Sequence, residues 1–348
     1  MTFDGKRVLV TGGTGSLGRA VVHRLLTSEL GRPAKITVFS RDEAKQHDMR
    51  LSYLNRQVAT DEVIYGNFQE LLTFHIGDIR DFSCVLQAVL DADVIIHAAA
   101  LKQVPTCEYF PFQAVQTNVL GAQNLFEAIR RNNASVETIV GISTDKACKP
   151  INVVGMSKAL MERILIKANL SCPKTRFVCV RYGNVIASRG SVVPLFLDQI
   201  AHGGPVTVTT KGMTRFLIAL DGSVDTIFDT IRGALPGEIY VPRLPSARIV
   251  DLAKVLINGR DIPIKYTGIR PGEKTHEVLI SEEERYRTTE RDGYYAICPI
   301  LPELRSKTIE KPALSSEYSS SKVTLDHEGL RALLADYLSE NSPMGGTW

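Results

Sequence analysis

Val8-Leu9-Val10-Thr11-Gly12-Gly13-Thr14-Gly15-Ser16-Leu17-Gly18 is the stretch that decides the fold. Three apolar residues make a short buried strand, a glycine-rich turn follows, and Val21, Val22, Leu25 and Leu26 then recur at helical spacing. The glycines satisfy GxGxxG (Gly13, Gly15, Gly18) and also GxxGxxG (Gly12, Gly15, Gly18). Either spacing meets one physical need. The turn is tight, the backbone approaches a pyrophosphate, and amide groups at the helix N-terminus face the anion. A dinucleotide site is therefore expected here in preference to a purely structural turn, with Gly12, Thr14, Gly15, Ser16 and Leu17 against the cofactor.

The next strands extend that reading. Ile36–Phe39 ends in Ser40-Arg41-Asp42. An acidic residue there holds the ribose 2′-hydroxyl of NAD, whereas a hydroxyl with a guanidinium suits the 2′-phosphate of NADP. Ser40, Arg41 and the nearby Lys45 give NADP as the expected cofactor, and Asp42 keeps NAD as the alternative. Leu72–Ile76 is a third strand. After it Asp78 either meets the adenine amino group or caps the next helix, and Ile79 packs on the ring. Val94–His97 is a fourth strand, and the small residues Ala98, Ala99 and Ala100 let the nicotinamide half cross the sheet edge. His97 reads as a core residue, Lys102 as facing ligand or solvent, and Asn118 as a brace for the neighbouring strand.

The fifth strand, Thr138–Ile142, runs into Ser143-Thr144-Asp145-Lys146, then a Pro150 turn and a helical pattern carrying Lys158. Strand carboxyl ends are where a doubly wound sheet binds ligands. An acid beside a base at such an edge is what proton transfer requires. The plainer reading is a capped helix start with two solvated charges. A sixth strand, Phe177–Arg181, leads to Tyr182-Gly183-Asn184. Further on, Arg215 and Arg270 offer paired donors to a diphosphate, and Glu273 an acceptor for ribose hydroxyls.

Composition sets the bounds. At 348 residues, 44% hydrophobic and 23% charged, the chain has the balance of a globular protein of one large or two ordinary domains. The expected class is α/β: a Rossmann-type doubly wound parallel sheet with a smaller C-terminal α/β substrate-binding domain. Residues 1–185, with a returning segment at 217–245, are assigned to the cofactor domain, 186–216 and 246–300 to the substrate domain, and 301–348 to an arm and a last helix. A net charge of +3 without basic runs argues against nucleic acid. Six scattered cysteines with no CxxC pair argue against a disulfide framework or a metal site. No apolar run is long enough for a membrane span, and no signal-peptide core precedes the first strand, so a cytoplasmic location is expected.

Taken together, TGGTGSLG, GDIRD, AALKQVP, STDKA, RYGNV, SRGSVVPLF, MTRF and RPGEK resemble an extended short-chain dehydrogenase/reductase. The branch most similar is the UDP-N-acetylglucosamine 4,6-dehydratases of the capsule type, which invert carbon 5. That resemblance implies conversion of a UDP-sugar to a UDP-2-acetamido-2,6-dideoxy-hexos-4-ulose in a homo-oligomer, either dimer or hexamer. It implies that Lys146, as a neutral amine of lowered pKa, takes the carbon 5 proton, and that Asp145 protonates the departing carbon 6 hydroxyl. Thr144 would bond the carbon 4 oxygen, Lys158 the nicotinamide ribose, and Tyr182 the cofactor. Lys102, Asn184, Arg189, Val192, Arg215, Arg270 and Glu273 would line the substrate. One departure stands out: the family's Tyr, four residues before the helical Lys, is Val154 here. A nucleotide-sugar epimerase on the same scaffold, or a non-catalytic nucleotide-sugar binder, is the alternative.

Overall fold

The computed structural model describes residues 1–54, 62–132, 134–186, 191–305 and 311–340. Six parallel strands form its centre: β1 (Arg7–Thr11), β2 (Lys35–Ser40), β3 (Leu72–Ile76), β4 (Val94–His97), β5 (Thr138–Ile142) and β6 (Arg176–Val180). They lie in the order β6-β5-β4-β1-β2-β3, so the chain reverses direction across the sheet between β1 and β4. That reversal opens the crevice in which a doubly wound sheet binds its ligand.

β1, β2, β4, β5 and β6 are buried along most of their length because helices cover both faces, whereas the edge strand β3 is partly exposed. Alternate residues feed different layers. Val8 and Val10 pack with Val21, Val22 and Phe228 on one face. Leu9 packs with Ile95, Leu125, Leu165 and Phe177 on the other. The helices Ser16–Leu26 and Leu220–Gly233 belong to the first layer, and Gly121–Asn132 and Val153–Ser171 to the second.

Beyond β6 the sheet continues with Ile239–Pro242 in parallel, then Tyr294–Ile297 and Thr288–Arg291 antiparallel. The hairpin turns on Asp292 and Gly293, both at positive φ (49° and 84°), the two-residue connection that matches strand twist. Residues 288–297 fall within the stretch expected in the second unit; their hydrogen bonds instead cover the edge strand of the large sheet.

A smaller core gathers Val193, Phe196, Leu252 and Leu256 with Leu330 and Leu334 of the last helix, His327–Glu340. The arm expected as irregular from residue 301 carries a short strand, Tyr318–Ser319, paired antiparallel with Val278–Ile280. Among the described residues no helix is long and apolar enough to cross a membrane.

Candidate active site

The glycine turn sits at the crevice. Gly12 has φ +69°, and a Cβ there would lie 2.7 Å from the Ala99 nitrogen, so the turn presses against the Ala98–Ala100 loop. Gly18 is as constrained: its Cβ would come within 2.5 Å of the Gly12 carbonyl oxygen. Gly15 caps the helix Ser16–Leu26 without a side-chain hydrogen bond, leaving the helix's first amide groups for an anion. This geometry is open to a dinucleotide pyrophosphate, the role expected of Gly12, Gly15, Ser16 and Leu17.

Thr14 Oγ1 lies 2.9 Å from Ser40 Oγ and ties the turn to the end of β2. Arg41 is more than half exposed there, 3.7 Å from Asp78 Oδ2. Asp42 is otherwise engaged: its carboxylate takes the Lys45 N–H at 3.0 Å and pairs with Lys45 Nζ. It caps the helix Glu43–Leu54. Asp78 also departs from one expectation. It binds Arg80 through several hydrogen bonds, and the helix cap is Asp81, which accepts from the Ser83 and Cys84 amides. Ile79 is buried against Gly121, whose absent side chain leaves it room.

The end of β5 holds the second half of the site. Thr144 Oγ1 donates to Asp145 Oδ1 at 2.8 Å, and Lys146 Nζ donates to the same oxygen at 3.0 Å. Asp145 is fully buried, and its Oδ2 has no hydrogen-bond partner among the described residues. The Asp145 amide donates to the Tyr182 carbonyl at 3.0 Å, which fastens the turn to the end of β6. Behind it, a Cβ on Gly155 would meet the Lys146 carbonyl oxygen at 2.1 Å. Glycine at 155 is what lets the helix Val153–Ser171 start against the turn. Asn152 caps that helix through the Gly155 amide at 2.8 Å.

Lys146 does not have the lowered pKa expected of it. Burial pulls it down, but the neighbouring Asp145 and then Glu277 outweigh burial, and the net shift is upward. Glu277 is a charged neighbour of Lys146 that sequence reading missed. Its Oε1 is 3.5 Å from Lys146 Nζ and 4.0 Å from Arg215 Nε, and its Oε2 is 3.8 Å from Lys274 Nζ. Only its place just after the RPGEK turn hinted at it. Arg215, expected at the diphosphate, is buried and donates to the Thr214 and Thr275 carbonyls. Lys274 donates to the Cys148 carbonyl at 2.7 Å.

Lys158 is buried, with Nζ 2.7 Å from the Ile142 carbonyl, and burial lowers its pKa to about 8. His97, the expected core histidine, meets Thr11 Oγ1 through Nδ1 at 2.8 Å, while its buried Nε2 lacks a partner among the described residues. Burial, then the charge of Lys158, lowers its pKa to about 3. Asn118 is the brace that its position suggested: it bonds both the N–H and the carbonyl of Leu101, and Ser157 Oγ.

Tyr182 OH, Asn184 Oδ1 and Glu273 Oε2 are buried and unpartnered among the described residues, a set of polar atoms suited to a ligand. Val192 opens the helix Val192–Ala201, and Lys102 and Arg270 are exposed. Arg189 lies outside the described residues. A cavity of about 510 Å³ is walled by Cys148, Glu284, Arg287 and Arg305 rather than by Asp145 or Lys146, and is separate from this site.

Comparison with known proteins decides the family. Residues 8–299 match the model described as polysaccharide biosynthesis protein. This chain belongs to that family, within the extended short-chain dehydrogenases/reductases. Other family relatives include a protein of Rickettsia akari named UDP-glucose 4-epimerase, 41% identical over 98% of this chain and 92% of its own. The Rickettsia typhi protein of the same name is 42% identical over the same shares. Among solved structures, Pen from Bacillus thuringiensis superposes with a TM-score of 0.85 at 32% identity, covering 97% of this chain and 99% of that one. DesIV, a dTDP-glucose 4,6-dehydratase from Streptomyces venezuelae with NAD and TYD bound, shares the fold at TM-score 0.65 and 22% identity, over 77% of this chain and 86% of its own. The family is one of nucleotide-sugar-modifying enzymes, and DesIV, which shares the fold, holds NAD.

Proposed function

We propose that this member of the family is a UDP-N-acetylglucosamine 4,6-dehydratase that uses NADP and inverts carbon 5. One observation carries the choice of reaction. The position four residues before Lys158 is Val154, buried among Cys107 and Ala114, where no proton can be exchanged. A 4-epimerase on this scaffold needs a tyrosine base there. The acid–base pair of this chain is instead Asp145–Lys146, at the mouth of the crevice.

When bound, the dinucleotide supplies a hydride acceptor that later returns the same hydride, so carbon 4 is oxidised, carbon 6 is reduced, and no net redox occurs. The chain's own task is proton movement. Asp145 and Lys146 share one proton across their hydrogen bond. With that proton on Asp145, the Lys146 amine takes the proton from carbon 5, which the carbon 4 ketone has acidified. Asp145 gives its proton to the carbon 6 hydroxyl, the C6–O bond breaks, and water leaves. The pair ends as ammonium and carboxylate, and the ammonium can return a proton to carbon 5. Once the ammonium has returned its proton to carbon 5, the pair is an amine and a carboxylate, one proton short; the proton released from the carbon 4 hydroxyl restores it, so in net terms that proton leaves with the water.

Ser40 and the open guanidinium of Arg41 support NADP, since Asp42 is turned to Lys45. The buried unpartnered atoms of Tyr182, Asn184 and Glu273 support a polar ligand such as a UDP-sugar, which the family resemblance also assigns to Lys102, Val192, Arg189, Arg215 and Arg270. The names of the rickettsial relatives favour a second reading, 4-epimerisation. Incubation with UDP-N-acetylglucosamine in deuterated water separates the two by proton NMR and mass. A 6-deoxy-4-keto product lighter by one water, with deuterium at carbon 5, is the expected result. A product of unchanged mass epimerised at carbon 4 would overturn the dehydratase reading.

A further inference from the structure

We infer that Glu277 is a positioning residue that decides which side of the Asp145–Lys146 hydrogen bond holds the shared proton. The inference rests on the dehydratase reading, in which that proton must reach Asp145 before carbon 5 can be attacked.

The geometry is specific. Glu277 is buried, and its carboxylate comes from outside the strand that carries the pair. Its Oε1 is 3.5 Å from Lys146 Nζ, and Asp145 Oδ1 is 3.0 Å from the same atom, so Lys146 Nζ is within ion-pair distance of two carboxylates. The other charged groups packed here are cations. Arg215 approaches Oε1 at 4.0 Å from Thr214–Ile218, and Lys274 approaches Oε2 at 3.8 Å from the preceding turn. Neither makes a hydrogen bond to Glu277, and Oε2 has no hydrogen-bond partner among the described residues. The two cations lie beside the carboxylate without a hydrogen bond to it, which leaves Oε1 free to act on Lys146.

Two opposed effects then set the proton's place. Water-excluding burial favours the neutral pair, an amine beside a carboxylic acid, because both charged partners lose hydration. Glu277 favours the ion pair, because a second negative charge close to Nζ stabilises the ammonium. The reaction needs both forms in turn, the neutral pair before elimination and the ion pair after it. A carboxylate at ion-pair distance without a hydrogen bond biases Lys146 without locking it.

The backbone of Glu277 is fixed from the far end of the chain. Its N–H donates to Ser320 Oγ at 2.9 Å and its carbonyl accepts the Ser320 N–H at 2.8 Å. Ser320 Oγ also contacts Thr214 Oγ1 at 2.8 Å, one residue from Arg215. The carboxylate and one of its cations are thus registered by one serine.

The test uses the full chain with isotope-labelled lysines, the Lys146 signal being assigned by its loss in Lys146→Arg. In the ligand-free wild type, Lys146 is expected to titrate above the ordinary lysine value of 10.5. In Glu277→Gln it is expected to titrate at lower pH. The alkaline limb of the kcat profile for UDP-N-acetylglucosamine should move the same way, because the pair gives up its last proton more easily. KM should stay within about twofold, as expected when an interaction acts on turnover rather than on binding. Glu277→Asp, which keeps the charge, should restore the wild-type limb. An unshifted Lys146 titration in folded Glu277→Gln would overturn the inference. So would a wild-type Lys146 that titrates below 10.5, a measurement that needs no variant at 277 to fold. The NMR arm also needs no substrate. A shifted Lys146 in Glu277→Gln, with no dehydration by the wild type, would support the coupling and overturn the dehydratase reading.

Discussion

Arg181 and Glu162 meet in the interior as a two-pronged pair, Nη2 to Oε2 at 2.7 Å and Nε to Oε1 at 3.1 Å. The same guanidinium reaches Glu284 at 2.8 Å and the Leu279 carbonyl at 2.8 Å, and Glu162 also accepts the hydroxyl of Ser143. One buried cation thereby ties the residue after β6, the helix Val153–Ser171, the loop after Val278–Ile280 and the residue before Thr144. Arg181→Ala would leave the buried Glu162 without its paired cation and Glu284 with Arg287 alone, at 3.5 Å. It is expected to destabilise the fold by ~3–5 kcal/mol, read as a lower urea midpoint. A loss within the range of an exposed ion pair, below about 1 kcal/mol, would contradict this account.

Asp145→Asn and Lys146→Ala should each lower turnover of UDP-N-acetylglucosamine by ~100- to 10,000-fold, the usual worth of a placed acid or base. Cofactor affinity should change little, since neither side chain touches the glycine turn or Arg41. Steady-state rates with a parallel NADP titration check both halves. Full activity in Lys146→Ala would remove the mechanism.

The cofactor preference rests on Arg41. Removing a charge-assisted contact of the kind a guanidinium makes with phosphate costs ~1.5–3 kcal/mol, or roughly 10- to 100-fold in affinity. Arg41→Ala is expected to weaken NADP by that factor and NAD hardly at all, as measured by quenching of protein fluorescence. Equal losses for both dinucleotides would place the 2′-phosphate elsewhere.

Acid should destabilise the protein in two stages. His97 stays neutral when folded, with its pKa lowered from 6.5 to about 3, so only the unfolded chain takes up its proton between those values. Stability therefore falls as pH drops through that window, by up to ~1.4 kcal/mol per unit. Glu284 adds the second stage. Despite the opposing effect of burial, Arg181 lowers its pKa from 4.5 to about 2, and the stability present above 4.5 is lost on the way down. His97→Gln should flatten the dependence between pH 6.5 and 5 in urea unfolding. An unchanged slope would show that His97 is not the group responsible.

Much of this architecture could be read from the residues. β4 and β5 coincide with their apolar runs, because a strand covered on both faces has to be apolar throughout, and that pattern is visible without coordinates; β3, at the sheet edge, also lies where it was expected but is only partly buried. The β6 run was one residue late, at Phe177–Arg181 rather than Arg176–Val180. The aliphatic stem of Arg181 continues the apolar pattern, and only the two glutamates explain its burial. The hairpin Thr288–Ile297 has a signature in Asp292-Gly293, but nothing local says which sheet edge it joins. Glu277 was illegible for a similar reason. It lies 131 positions after Lys146, and the contact depends on Ser320 pairing back from the arm. Burial lowers Lys146 as expected, but it is opposed first by the adjacent Asp145, legible in the sequence, and then by Glu277 from a distant turn, which is not.

The pairing of Ser320 with Glu277 bears on when a newly made chain acquires its chemistry. The six central strands and the glycine turn lie in the first two hundred residues, so a growing chain has the parts expected to grip a dinucleotide well before synthesis ends. The carboxylate opposite Asp145 falls into register only after the ribosome has released Tyr318–Ser320. A chain cut short before that point would hold its cofactor with an untuned lysine beside it.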